Sequence, residues 1–242
     1  MDSLLVADNI QSAFKEKVLN DLLIQYCMDP KRNYSTEGFK IASLKISNED
    51  AYHFLRAMEN SIVTDIGGCR YVMPKSKAFE LIFWEGSKLK SPRDITLWHE
   101  PVITIGAASR LNLDYGWPKE LLGMQSKDGA FDLVAYVSKE TDHLYIAGEV
   151  KKTTKEIDDL LSHLFHFDAS LNYDYSQMNH RVINSHKKWL SLNQSKAPYF
   201  WAIGPGNDTR LFQVSYKLNG NIDFKSCSLD FLSFNSSGLH FN

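Results

Sequence analysis

The chain has 242 residues, of which 43% are hydrophobic, and its 27 basic and 29 acidic side chains give a formal net charge of -2. This balance is that of an ordinary folded globular protein, and the length allows one large domain or a core with a smaller elaboration. A near-zero charge excludes a uniformly basic binder of polyanions, but it is compatible with a nucleic-acid enzyme that has a local basic face.

Several broad classes of protein are disfavoured by short patterns in the sequence. Apolar runs such as 81–84 are far shorter than the roughly 20 residues that span a bilayer, and residues 1–30 lack a signal-peptide pattern. No phosphate-binding loop is present and no organic cofactor is expected. Motifs of a Ser or Cys nucleophile are also absent. The three cysteines are widely spaced and form no zinc motif. We therefore expect a cytoplasmic protein with reduced thiols.

Residues 1–93 are interpreted as an N-terminal α+β extension that contacts DNA or forms a dimer interface. Helical spacing of apolar residues, strand-type runs and turn residues predict five elements in this extension. In chain order these are a helix over 1–28, a strand over 39–46, a helix from 48 to about 60, and strands over 70–73 and 78–84. Ser47 and Asp50 have the spacing of an N-terminal cap for the second helix.

Residues 94–242 are interpreted as the main α/β core, ending in a β-hairpin. The stretch 94–113 allows either a helix that begins at Pro101 or a short strand over 102–105 followed by a helix from Ala107. The clearer elements are strands over 131–137 and 143–150, a helix capped by Thr153, a helix over 179–192, a strand over 199–203, and a hairpin over 211–217 and 222–228.

The residues of greatest chemical interest lie on the first of these strand pairs. Asp132 stands at the start of one strand, and Glu149-Val150-Lys151 ends the next. Alternate side chains of a strand share a face, so Glu149 and Lys151 point the same way while Val150 points into the core. A hairpin places the start of its first strand beside the end of its second, and therefore Asp132 is expected beside Glu149.

Two carboxylates beside an ammonium are suited to metal-assisted hydrolysis. Adjacent carboxylates repel each other unless a cation lies between them, and Mg²⁺ favours one or two carboxylates with water and phosphate oxygens. Asp132, Glu149 and the Val150 carbonyl are the expected ligands of Mg²⁺, for which Mn²⁺ can substitute. The metal would polarise a phosphate and activate water, and Lys151 would orient the water or stabilise negative charge.

This segment resembles the PD-(D/E)xK nuclease superfamily, to which many restriction endonucleases belong. The family motif is an Asp, a variable gap, and then Glu or Asp, any residue, and Lys; here Asp132 and Glu149-Val150-Lys151 occupy those positions. Phe131 replaces the family's Pro. The resemblance covers about residues 94–205 and implies a restriction-endonuclease-like core, with a mixed central sheet flanked by helices in the order αβββαβ.

The resemblance also implies a further carboxylate from the first core helix. Glu100 is the best candidate, although Pro101 directly after it disfavours a helical conformation at Glu100. Glu80 and Glu85 are the alternatives.

The function implied by the resemblance is Mg²⁺-dependent hydrolysis of phosphodiester bonds by an endonuclease, with a restriction-type homodimer acting on DNA as the first interpretation. The alternatives are a structure-selective nuclease of repair, phage defence or mobile elements, and a catalytically silent subunit that binds nucleic acid. An accidental motif in an unrelated α/β protein is the third possibility. The sequence leaves open the choice between DNA and RNA.

The charge is unevenly distributed along the chain, which suggests a surface for the phosphates. Residues 31–93 carry 11 basic and 7 acidic groups, whereas residues 94–150 carry 4 and 9. The acidic segment supplies the expected metal ligands. The cations expected to contact DNA are Arg70, Lys75, Lys77, Lys88, Lys90, Arg93 and Lys152. Lys187 and Lys188 can also contact phosphates, but a solvated helix face explains them equally well.

Overall fold

The computed structural model describes residues 7–238, and its first helical segment covers most of the predicted N-terminal helix. In chain order it consists of α1 (Ala7–Lys17), a π-helical stretch (Val18–Leu22) and α2 (Leu23–Met28). Phe14 and Tyr26 are fully buried on its apolar stripe. The backbone leaves the helical conformation at Asp29, where the sequence predicts the end of the helix. Residues 1–6 of that prediction lie outside the described residues.

The strand predicted over 39–46 is wrong. Two 3₁₀ helices, Thr36–Gly38 and Ile41–Leu44, occupy this region. Leu44 is buried while Ile41 is 62% exposed, so the apolar residues do not line one strand face. Phe39 makes only an isolated bridge to Ile95, and this single contact does not extend into a ladder.

The remaining elements of the N-terminal half are one helix and five short strands. They are α3 (Asn48–Glu59), β1 (Thr64–Asp65), β2 (Arg70–Val72), β3 (Glu80–Leu81), β4 (Phe83–Glu85) and β5 (Ile95–Leu97). The cap at Ser47 is confirmed, because its hydroxyl accepts the N–H of Asp50 at 3.0 Å. The strand predicted over 78–84 is divided at Ile82: β3 joins β1 and β2, whereas β4 pairs with β5.

A helix fills the stretch that the sequence leaves open. α4 (His99–Ser109) continues into a π-helical turn (Arg110–Asp114), so the alternative with a strand over 102–105 is wrong. Pro101 lies within the first turn, where a helix has no intrahelical partner for the backbone N–H. Proline is therefore tolerated at this position, and Glu100 is helical despite preceding it.

A six-stranded mixed sheet forms the centre of the molecule. Its strands are β6 (Leu122–Met124), β7 (Leu133–Tyr136), β8 (Leu144–Val150), β9 (Tyr199–Ile203), β10 (Thr209–Tyr216) and β11 (Ile222–Cys227). They lie side by side in chain order, and only β8 and β9 are parallel neighbours. The crossover between those two contains α5 (Thr154–His166) and α6 (His180–Ser195). The predicted α/β class and both predicted hairpins are confirmed.

Each face of this sheet packs in a different hydrophobic cluster. Leu133 and Ala135 of β7 belong to a cluster with helices α1 to α4, whereas Val134 and Tyr136 belong to one with α5 and α6. The alternation follows from the period of two in a strand. The first cluster contains residues from both sides of the boundary expected at 93/94, and that division into domains stays a prediction. Among the described residues, no helix is both long and apolar enough to cross a membrane.

Gly148 allows β7 and β8 to approach each other next to the motif. A Cβ at this position would lie 2.9 Å from the Leu133 carbonyl oxygen, which is backbone and cannot rotate away. We expect Gly148→Ala to lower the free energy of unfolding by about 1–3 kcal/mol, measured by urea denaturation. A variant as stable as the wild type would contradict this tight approach.

Candidate active site

The register of the β7–β8 hairpin brings the motif residues together. Leu133 pairs with Gly148, so Asp132 and Glu149 flank the same end of the ladder. The backbone N–H of Asp132 donates to the Gly148 carbonyl at 3.0 Å, and the Val150 N–H donates to Asp132 Oδ2 at 2.9 Å. The structure thus places Asp132, Glu149 and Lys151 at one site, in the arrangement expected from the strand period.

Glu149 is the most deeply buried of the charged groups at this site. It is 1% exposed, and its two carboxylate oxygens face two different ammonium groups. Lys151 Nζ pairs with Oε1, and Lys188 Nζ lies 2.8 Å from Oε2. A buried carboxylate needs such compensation, because an unpaired charge in the interior is strongly destabilising.

Lys188 is the main residue of the site that sequence reasoning did not place there. It lies on α6, outside the motif, and its ammonium group also donates to the Ala130 carbonyl. Ser185, Trp189 and Leu192 are buried on the same helix. At helical spacing, Lys188 lies at the edge of that buried stripe, which is the one signal that favours a packed position over a solvated one.

The combined effect of burial and nearby charges raises the pKa values of two groups at this site. Burial, followed by repulsion from Glu149, raises the pKa of Asp132 to about 8, although the two lysines and the Val150 N–H oppose the shift. Burial disfavours the charged form of Lys151, but the carboxylates of Glu149 and Asp132 outweigh it and raise the pKa of this lysine above its usual value. Lys151 is therefore a cation at neutral pH.

The three candidate upstream carboxylates have different positions. Glu100, in the first turn of α4, lines the same cavity as Asp132 and Glu149. Glu80 on β3 is separated from Asp132 by the side chain of Gln125. Gln125 Nε2 donates to Glu80 Oε1 at 2.6 Å and lies 3.4 Å from Asp132 Oδ1. Glu85 lies elsewhere and pairs with Arg93 Nη1 at 2.7 Å. Of the three, Glu100 is the one in the cavity.

The site opens into a cavity of about 610 Å³ between the neighbouring ends of β7 and β8 and the helices α4, α5 and α6. Its charged lining comes from all of these elements: Glu100, Asp128, Asp132, Glu149, Lys151, Glu156, Asp159, Arg181, Lys187 and Lys188. Lys187 is exposed and has no ion pair within residues 7–238. A cavity lined by several acidic groups and by the exposed cation Lys187 suits an anionic substrate that arrives with a metal ion.

The expected metal ligands fit a hard divalent cation, with oxygen as the donor. Within residues 7–238 there is no group of three or more His, Cys, Asp or Glu side chains that could hold a metal. The available donors are the carboxylates of Asp132 and Glu149 and the carbonyl of Val150. Glu149 Oε2 is buried and makes no hydrogen bond to the described residues, although Lys188 lies near it. Two carboxylates with solvent ligands match the usual binding of Mg²⁺.

The cations predicted to contact DNA lie outside this cavity in the described part of the chain. They are Arg70, Lys75, Lys77, Lys88, Lys90, Arg93 and Lys152. Most of them have partners within the chain: Lys90 pairs with Asp94 at 2.8 Å, and Lys75 Nζ donates to the carbonyls of Lys139 and Thr141. Lys88 and Lys152 are exposed. Their contact with DNA stays a prediction.

No family model, curated protein or solved structure matches this chain. The residues of the cavity are therefore the basis on which a function is assigned.

Glu80 gives the site a pH-dependent contribution to stability. Burial raises its pKa to about 7 from an ordinary value of 4.5, with a further contribution from Glu100, although the bond from Gln125 opposes the shift. The folded state binds this proton more tightly than the unfolded state does. The resulting stability is complete below pH 4.5 and is lost as the pH rises through 7.

We expect Glu80→Gln to remove that loss. Between pH 5 and pH 8, the free energy of unfolding measured with urea in EDTA should decrease less for the variant than for the wild type, by about 2–3 kcal/mol. Exposed Glu120→Gln is the matched control and should behave like the wild type. An equal decrease in Glu80→Gln and wild type would contradict the raised pKa.

Proposed function

We propose that the protein is a Mg²⁺-dependent nuclease related to the PD-(D/E)xK superfamily, which hydrolyses phosphodiester bonds in DNA. The observation that carries the proposal is the convergence of Asp132, Glu149 and Lys151 on the floor of an open cavity. A restriction-type endonuclease that works as a cytoplasmic homodimer is the first choice within this class, because two-fold symmetry supplies one site for each strand.

The order of elements around the site supports the proposal. The chain runs through α4, three antiparallel strands β6 to β8, the two crossover helices α5 and α6, and then β9 parallel to β8. Apart from the additional helix α6 in the crossover, this order agrees with the αβββαβ order that the sequence resemblance implies for a restriction-endonuclease-like core. Asp132 lies at the start of the second strand of that series, Glu149 and Lys151 lie at the end of the third, and Glu100 lies on the first helix.

Each residue has a chemical role that follows from its position. Asp132, Glu149 and the Val150 carbonyl would hold the ion, and Mg²⁺ when bound would polarise the phosphate and activate water. Lys151, a cation beside both carboxylates, would orient the attacking water and stabilise charge that develops on the phosphate. Glu100 faces the same cavity and would position solvent at the ion.

A second candidate is a catalytically silent subunit that binds nucleic acid. It is favoured by one observation, the pairing of both Glu149 oxygens with lysines, since ammonium groups alone can neutralise this carboxylate. The two candidates differ in whether a divalent ion binds at Glu149 and whether DNA is cut.

Substitution of the motif residues tests the proposed hydrolysis. Plasmid DNA, single-stranded DNA and RNA are incubated with wild type, Glu149→Gln and Lys151→Met, with Mg²⁺ or EDTA. We expect cleavage of DNA by the wild type only with Mg²⁺, and a loss of at least about a hundredfold in either variant, because a metal ligand or a charge-stabilising group is removed.

Glu120→Gln is the control for that assay and should cleave like the wild type, while circular dichroism verifies the fold of every variant. Undiminished Mg²⁺-dependent cleavage by folded Glu149→Gln would refute the proposed site. Absence of cleavage by the wild type on all three substrates would favour the silent subunit.

The position of the substrate is tested by charge reversal on two surfaces. We expect Lys187→Glu to weaken DNA binding more than Lys88→Glu does, because Lys187 lines the cavity whereas Lys88 lies outside it. The Lys187 variant should also show a smaller dependence of affinity on salt. Fluorescence anisotropy with a labelled duplex in Ca²⁺ gives both quantities. The reverse ranking would place the substrate on the surface of the basic segment 31–93, which contains Lys88.

A further inference from the structure

The second ammonium group at Glu149 has no place in the D…ExK motif. Lys151 already supplies the lysine of the motif, and its ammonium group is paired with Oε1 and lies 3.1 Å from the Val150 carbonyl. Lys188 comes from α6, on the opposite wall of the cavity, and lies 2.8 Å from Oε2. The two lysines thus occupy different oxygens of one buried carboxylate.

Lys188 is held in this position by the packing of α6. Its side chain is 15% exposed, and it donates to the Ala130 carbonyl in the loop that precedes Asp132. One turn further on, the Ser191 hydroxyl donates to Asp128 in the same loop. The ammonium group is therefore packed within the wall of the cavity and is largely shielded from solvent.

The negative charge on Glu149 Oε2 is balanced by Lys188. The oxygen is buried and makes no hydrogen bond to the described residues, so the ion pair with Lys188 is the contact that offsets its charge. The same oxygen belongs to an expected metal ligand. An ammonium group and a divalent ion at one buried oxygen would repel each other strongly, because the surroundings screen charge poorly.

Resting on the proposed metal site, we infer that Lys188 is a positioning residue that competes with the divalent ion for Glu149 Oε2. Without metal, Lys188 neutralises and holds this carboxylate. With an ion at Oε2, Lys188 would lose this ion pair and would keep the Ala130 carbonyl as a partner. The exchange lowers the affinity for the ion and keeps the carboxylate compensated in its absence, and thus regulates the loading of the site.

Manganese binding to full-length protein tests the competition independently of catalysis. Isothermal titration with Mn²⁺ compares wild type, Lys188→Met and Lys187→Met. Lys187 is the matched control, because it is the adjacent lysine on the rim of the same cavity and lacks an ion pair within the described residues. We expect Lys188→Met to bind Mn²⁺ at least about fivefold more tightly than both other proteins. Equal or weaker binding by Lys188→Met would overturn the inference.

A measurement on the wild type covers the case in which Lys188→Met does not fold. Acetylation by a limiting reagent, with mass spectrometry of each lysine, is compared in EDTA and in Mn²⁺. We expect the labelling of Lys188 to rise at least about twofold with Mn²⁺, as its ion pair is released, relative to Lys187. Unchanged or reduced labelling of Lys188 in protein that binds Mn²⁺ would contradict the exchange.

These outcomes are separate from those of the cleavage assay. Tighter binding by Lys188→Met together with an inactive wild type would reject hydrolysis and retain the competition. Active wild type with no gain in affinity for Lys188→Met would retain hydrolysis and reject the competition. Glu149→Gln should bind Mn²⁺ more weakly than the wild type; if Lys188→Met gained affinity while Glu149→Gln lost none, the ion would lie away from Oε2 and the inference would fail.

Discussion

A carboxylate buried at the end of a strand dominates the physical chemistry of this molecule. Glu149 is almost completely shielded from water, and its charge must be balanced by groups placed around it. Lys151 from the same strand and Lys188 from α6 supply that balance in the structure described here. The repulsion that adds to burial in raising the pKa of Asp132 also comes from this one buried charge.

The geometry of the site is an outcome of strand pairing. Gly148 permits β7 and β8 to lie close together, and their register sets Asp132 next to Glu149. The Val150 N–H then fixes one oxygen of Asp132. These constraints hold the two carboxyl groups near each other. Burial and the neighbouring Glu149 charge favour the protonated form of Asp132, whereas a divalent ion would favour its carboxylate.

The parts of this arrangement with short-range causes are predictable from the sequence. The period of two along a strand and the turn between 137 and 143 suffice to place Asp132 beside Glu149. Capping explains α3 and α5, and a run of buried residues explains β9. Local pattern fails where tertiary contacts decide, as in the strand expected over 39–46, whose backbone finds only an isolated bridge. Lys188 reaches the site only through the packing of the distant helix α6, which spacing along the chain does not encode.

A crystal structure with Mn²⁺, with anomalous diffraction data, tests the central claim most directly. We expect an anomalous peak in contact with the carboxylates of Asp132 and Glu149 and the carbonyl of Val150. Crystals grown with Mn²⁺ that show no peak there, with Lys151 and Lys188 still paired to Glu149, would contradict a metal-dependent active site at this position.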